Sequence, residues 1–300
     1  MQFIRASNPL GLLAGALFYA LGAGVVAFLN QPIIWADYWL GQACITLLQM
    51  SSAFLKAYYD WIEEPPLPPN SREEVPKNKE EPPPVTLPRV ALLQAGLTTL
   101  SMGAAVTVLL LARGALSGSA LVILGLAFIL AFFYSVPPIR LAYSGYGELA
   151  MAVLVTNLTP AFAFLLLAHE LDVRLLGLLT FPFSLLYLAM ALAASLEHYY
   201  RDLKRGHRTM MVRLGWQRGM ALHNLLVPLA YLLIGFAAIL GLSWHLAWPA
   251  MLTLPIGAFQ VWQMVQISNG APPRWPILRL TAYASLGITA YLITFSLWIG

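Results

Sequence analysis

The sequence predicts an all-α, polytopic membrane protein with about nine transmembrane helices. Three observations carry that prediction. Of 300 residues, 59% are apolar and only 10% are charged, where a soluble domain carries about a quarter charged. The mean hydropathy is +0.72. The apolar residues also gather into runs long enough to cross about 30 Å of hydrocarbon. This composition excludes an ordinary cytosolic enzyme, a disordered chain and a nucleic-acid binder. The single cysteine, Cys44, excludes a disulfide scaffold and a cysteine-based metal site.

The first apolar run, 9–29, ends at Asn30, Gln31 and Pro32, with no small-x-small cleavage pattern before them, so it reads as a span and not a leader. The second, 38–62, carries Lys56 and Asp60 near its end. A stretch with nine prolines, Pro65–Pro88, then separates it from the third, 89–112. That composition favours extended backbone; a solvated loop and a lid over a site are both open readings. The fourth run, 117–134, is short and stops before Pro137 and Pro138. Gly145 and Gly147 allow a tight return into the fifth, 147–168. The sixth is 175–200 and the seventh 219–242. A break around Ser243 precedes the eighth, 246–267, and the ninth is 281–299. The whole chain, 1–300, reads as a single transmembrane domain.

Basic residues set the expected orientation. With the N-terminus on the cytoplasmic side, fifteen of the 17 Lys and Arg fall on that side, and only Arg113 and Arg174 lie opposite. The C-terminus is then outside, and the net charge of +4 reflects topology. Trp35, Trp39, Trp244 and Trp248 cluster at the outer ends, and Trp61, Trp216 and Trp275 at the inner ones, as interfacial belts do. His169, His223 and His245 lie at span ends and read as interfacial packing. The protein is expected in a bacterial or archaeal cytoplasmic membrane.

Two helix ends hold the unusual polarity. Lys56, Asp60 and Glu64 recur every four residues and share one helix face, with Glu63 beside them. Glu197 and Arg201 are four apart, as are His198 and Asp202. Carboxylates near helix C-termini oppose the dipole and call for cations, either basic side chains or metal ions. Charged groups at membrane depth are candidates for function, and the same spacings also suit local ion pairs. Both sets suggest a polar pocket between the second and sixth spans. Arg140, after the Pro-Pro pair, reads either as a phosphate ligand or as a topology anchor. Lys204 and Arg205, in the basic run 201–208, suit anionic headgroups or a diphosphate.

These residues resemble the UbiA superfamily of intramembrane prenyltransferases. The run Lys56-Ala57-Tyr58-Tyr59-Asp60-Trp61-Ile62-Glu63-Glu64 is similar to the first family signature, Asn-Asp-x-x-Asp-x-x-x-Asp. The segment from Tyr134 to Glu148, with its Ser-x-Pro-Pro-x-Arg and Gly-x-Gly-Glu, resembles the naphthoate prenyltransferase and chlorophyll synthase type. The run Asp202-x-x-x-Gly206-His207-Arg208-Thr209, continuing to Leu214-Gly215, is similar to the second signature.

The resemblance implies a helical bundle around a central cavity. It also implies transfer of an isoprenyl group from a prenyl diphosphate to an aromatic or other lipophilic acceptor, in quinone or pigment biosynthesis. Mg²⁺ is the implied cofactor, because hard oxygen ligands hold it and it bridges to phosphate. Asp60, Glu64 and Asp202 are the implied metal ligands, with Asp60 and Asp202 catalytic. Lys56, Arg140, Lys204 and Arg205 would bind the diphosphate. The implied partners are the prenyl diphosphate, the acceptor and membrane lipids. The chain departs from the family at Lys56 and Ala57, at Ala194 and Ser195, and at His198, which stand where Asn or Asp is usual. A second reading follows from those departures: a non-catalytic relative that binds a quinone, carotenoid or chlorin tail, or serves as a membrane subunit of a larger complex, with ion pairs filling the former metal site.

Overall fold

The computed structural model describes residues 2–63, 87–168 and 174–300. Glu64, the bulk of the proline-rich stretch (65–86) and His169 lie outside the described residues. The chain opens with α1 (Gln2–Ala6), α2 (Pro9–Phe28), α3 (Trp35–Glu63), α4 (Arg89–Ala112) and α5 (Gly118–Ser135). It continues through α6 (Gly147–Val153), α7 (Thr159–Leu167), α8 (Arg174–Leu196), α9 (Tyr199–Arg205) and α10 (Met210–Leu214). The last four helices are α11 (Trp216–Ile239), α12 (Trp244–Met251), α13 (Leu254–Ser268) and α14 (Trp275–Ile299). Among the described residues the only β pairing is an isolated bridge between Ser144 and Arg208.

Large apolar side chains cover the outside of the bundle: Leu13, Val122, Leu232, Ile239 and Leu280 are each more than 60% exposed. Only lipid makes such a surface favourable, and the protein is an integral membrane protein. Among the described residues seven stretches are long and apolar enough to cross a bilayer: α2, α4, α5, the α6–α7 rod, α8, α11 and α14. The predicted number was nine. The two remaining segments differ for physical reasons. Helix α3 has 29 residues and is about 43 Å long at 1.5 Å per residue, but Gln42, Gln49, Ser51 and Ser52 dilute the apolarity of its charge-free middle. The predicted span 246–267 divides into α12 and α13 ahead of Pro255, which cannot donate to the helical ladder. The buried hydroxyl of Thr253 donates to the Ala250 carbonyl at 2.7 Å and also meets Thr289 at 2.6 Å. The sixth predicted span, 175–200, likewise stops early, at Leu196.

The α6–α7 rod is the most enclosed of the seven, 67% buried against 17% for α4, so it forms the centre of the bundle. A π turn over Leu154–Leu158 joins its two halves, just before Pro160, whose missing N–H disrupts the α pattern. Asn157 donates to the Ser184 hydroxyl at 2.6 Å and ties this turn to α8. Helix α2 crosses α7 closely because position 22 is glycine: a Cβ there would lie 2.1 Å from the Pro160 carbonyl oxygen. Phe18, Tyr19, Phe162 and Phe183 are fully buried around that crossing, with Phe18 and Phe183 edge to face at 5.3 Å.

Helix α3 is fixed in depth by hydroxyls. Ser51 donates to the Gly96 carbonyl of α4 at 2.9 Å. Ser52 and Ser135 of α5 meet at 2.7 Å, and each also reaches a backbone carbonyl of the other helix, Ala131 for Ser52 and Ser52 for Ser135. This clamp lies one helical turn before Lys56 and sets where the polar end of α3 stands.

Candidate functional site

Asp60 is the centre of the polar cluster. The Lys56 ammonium, one turn earlier on α3, donates to its Oδ2 at 2.7 Å. Arg140 donates to Oδ1 at 2.6 Å, and the Tyr143 hydroxyl donates to the same oxygen at 3.0 Å. Lys56 donates in turn to the Tyr143 hydroxyl at 2.8 Å. The carboxylate near the end of α3 thus receives two cations and one neutral donor, which answers the unfavourable helix dipole. Burial pushes the Tyr143 phenol up to about 12, so it stays protonated and donates at any physiological pH.

The loop after α5 builds this cluster by its backbone. The Pro137–Pro138 bond is cis. Arg140 adopts a left-handed conformation, φ 39° and ψ 64°, which is strained for a side chain of its size. A 3₁₀ turn over Leu141–Tyr143 follows and carries the tyrosine back beneath the arginine. The Arg140 guanidinium lies 4.7 Å from the Tyr143 ring centre. Gly145 closes the loop at φ +85°, and a Cβ there would come within 2.6 Å of the Arg213 side chain.

The other face of Tyr143 meets the second signature. The His207 ring stacks on it at 3.9 Å and 22°, and His207 Nδ1 lies 4.0 Å from Asp202 Oδ1. Burial raises the Asp202 carboxyl above its usual range. Glu148 joins the same loops: both its oxygens accept from the Met210 N–H at 3.1 Å, and Ser195 donates to it at 3.3 Å.

Beside this cluster is a cavity of about 430 Å³, within the size range of small-molecule sites. Residues 6–12 form one wall, and a single face of α3 forms another: Gln49, Ser52, Ala53, Lys56, Ala57 and Asp60. Tyr134, Met151 and Leu154 complete it. The cavity is therefore apolar along most of its length and charged at the Lys56–Asp60 end. It lies among α2, α3, α5 and α6. The expected pocket is between the second and sixth spans; the second, α3, lines this cavity, and no residue of α8 does.

The structure brings together Lys56, Asp60 and Arg140 among the predicted residues. Arg140 is 9% exposed and stands behind Asp60, outside the cavity lining. Asp202 is linked to Asp60 through the stacked Tyr143 and His207. Lys204 and Arg205 sit exposed in the last turn of α9, away from the cavity lining. His198 caps α9 one turn before Asp202, but the histidine that comes within ion-pair distance of Asp202 is His207; Glu197 pairs with Arg279 at 3.2 Å. Tyr143 and His207 are the residues that sequence reading missed. The available signal was the three-residue step from Arg140 to Tyr143, which a 3₁₀ turn eclipses.

The described residues do not fit the implied Mg²⁺. Among them no three His, Cys, Asp or Glu side chains converge on a metal-sized position. Glu64 lies outside the described residues, but the obstacle at Asp60 is independent of it. Mg²⁺ demands an octahedral oxygen shell, and both Asp60 oxygens already hold cationic side chains. A divalent ion about 4 Å from the ammonium would be repelled by roughly 8 kcal/mol at an effective dielectric of about 20.

Comparisons with known proteins bear on what such a site does. Residues 76–295 match the UbiA prenyltransferase family; Lys56 and Asp60 precede that stretch. A chloroplastic 2-carboxy-1,4-naphthoquinone phytyltransferase of Arabidopsis thaliana is 31% identical over 179 residues, 56% of this chain. The chain spans about half the length of that relative, 46%. A UbiA homologue from Archaeoglobus fulgidus, solved with GPP and Mg²⁺, shares the fold with a TM-score of 0.70 at 16% identity, covering 99% of this chain and 98% of its own. A digeranylgeranylglyceryl phosphate synthase gives a TM-score of 0.60 at 14% identity, covering 100% and 99%.

Proposed function

This chain belongs to the UbiA prenyltransferase family, and we propose that it transfers an isoprenyl group from a prenyl diphosphate to a lipophilic aromatic acceptor inside the membrane. The observation that carries the reading is the cavity: a largely apolar space with the Lys56 ammonium at one end. A prenyl diphosphate has that same division, an apolar chain and a polyanionic head. The Arabidopsis relative, a naphthoquinone phytyltransferase, supports a quinone-like acceptor.

In the proposed reaction the C1–O bond of the prenyl diphosphate breaks and its electron pair leaves with diphosphate. An aromatic carbon of the acceptor attacks the allylic cation, and the released diphosphate takes up the proton whose loss restores the ring. Lys56 faces the cavity and stabilises the departing anion, as a charged donor aimed where charge develops does. Asp60 holds Lys56 in place, and Arg140 and Tyr143 hold Asp60. The apolar walls, Ala53, Met151 and Leu154 among them, keep water from the cation. Mg²⁺ accompanies GPP in the Archaeoglobus homologue; no step here is routed through it, since the described side chains do not form its shell. The proposed orientation puts the N-terminus and the Asp60 cluster on the cytoplasmic side, where the basic residues concentrate.

A specific observation favours a second reading. Asp60 is fully engaged by Lys56, Arg140 and Tyr143, the arrangement expected if ion pairs replaced a metal site in a non-catalytic carrier or subunit. Turnover separates the two. The purified full chain, incubated with prenyl diphosphates of C5 to C20 and naphthoquinol acceptors, is expected to release pyrophosphate and form a prenylated product in equal amounts. Retained lipid binding with no product from any pair would select the carrier.

A further inference from the structure

We propose that this chain binds diphosphate without a metal ion at Asp60, because the Lys56 ammonium is a built-in cation on the carboxylate that would otherwise ligate one. The proposal rests on the prenyl diphosphate reading and deepens it by stating how the anion is held. Lys56 has three N–H donors. Two are directed to Asp60 and Tyr143, which fixes the ammonium, and the third is left for a ligand. Lys56 lines the cavity and is 28% exposed, so an anion entering the cavity can reach it. Asp60 is a positioning residue in this scheme: its two oxygens anchor Lys56 and Arg140 and are not spare for a cation from solution. Lysine is a competent phosphate ligand as a point charge.

The scheme has a consequence opposite in sign to metal-dependent binding. Free pyrophosphate is the species that a fixed ammonium attracts most strongly. Mg²⁺ in solution neutralises pyrophosphate and competes with Lys56 for the same oxygens. The affinity is therefore expected to stay level or to weaken as Mg²⁺ is added.

Pyrophosphate binding to the full chain in detergent, measured by titration calorimetry in EDTA and in excess Mg²⁺, tests this. The expected result is saturable binding in EDTA that stays level or weakens in excess Mg²⁺. Lys56→Gln should weaken the EDTA affinity at least tenfold, and Lys56→Arg should keep it within threefold. Tightening by threefold or more in Mg²⁺ overturns the proposal while leaving the prenyl diphosphate reading standing. So does a folded Lys56→Gln protein that binds as the parent does. Absence of binding in both conditions removes the diphosphate reading itself, and the proposal with it.

Discussion

Replacing Lys56 by methionine is expected to lower kcat/KM for prenyl transfer by about 10²- to 10³-fold, the loss typical of removing one preorganised donor to a developing anion. Methionine has a comparable length and helix propensity, so the change isolates the charge. Asp60 keeps Arg140 and Tyr143 as partners, and the Ser52–Ser135 clamp one turn away still sets the depth of α3. The fold should survive. Lys56→Arg restores a cation on a stem of similar reach and should recover most of the activity. Steady-state kinetics on the three proteins, with thermal unfolding as a control, check this. Near-parent activity in Lys56→Met would reduce Lys56 to an ion-pair partner and leave the diphosphate without its cavity-facing cation.

The second large effect concerns the apolar end of the cavity. Ala53 and Lys56 are three residues apart on α3, on one face and about 4.5 Å apart along the axis. Phenylalanine at position 53 would stand in the cavity just beyond the diphosphate. Overfilling a packed space costs roughly 1–3 kcal/mol, so the ratio of kcat/KM for geranylgeranyl over dimethylallyl diphosphate should fall by about 10- to 100-fold. The short substrate places few atoms past residue 53 and serves as the internal control. An unchanged ratio would mean that the prenyl chain runs elsewhere.

The class of fold was legible because it depends on composition and run length, which lipid imposes on every segment alike. The seven spanning stretches fall where the apolar runs are. What misled was local. Segment 246–267 is apolar throughout, yet Pro255 ends the ladder, and the break is tolerated because Tyr231, Thr253 and Thr289 satisfy one another. Those partners come from α11, the break itself and α14, and no short stretch of sequence contains them. The same applies to the site. The i, i+4 spacing of Lys56 and Asp60 announced their ion pair, but the choice of Arg140 and Tyr143 as the other partners depends on a left-handed residue at 140 and a 3₁₀ turn after it. The family resemblance suggested Asp60 and Asp202 around a shared metal. The structure interposes Tyr143 and His207 between them, side chains that the spacing of acids does not reveal.

The most direct measurement is an experimental structure of the full chain with geranylgeranyl thiolodiphosphate, a poorly reactive analogue. The account predicts the diphosphate within hydrogen-bond distance of Lys56 Nζ, and the C20 chain along Ala53, Met151 and Leu154. A diphosphate bound instead at Lys204 and Arg205, or a chain outside the cavity beside α3, would contradict it.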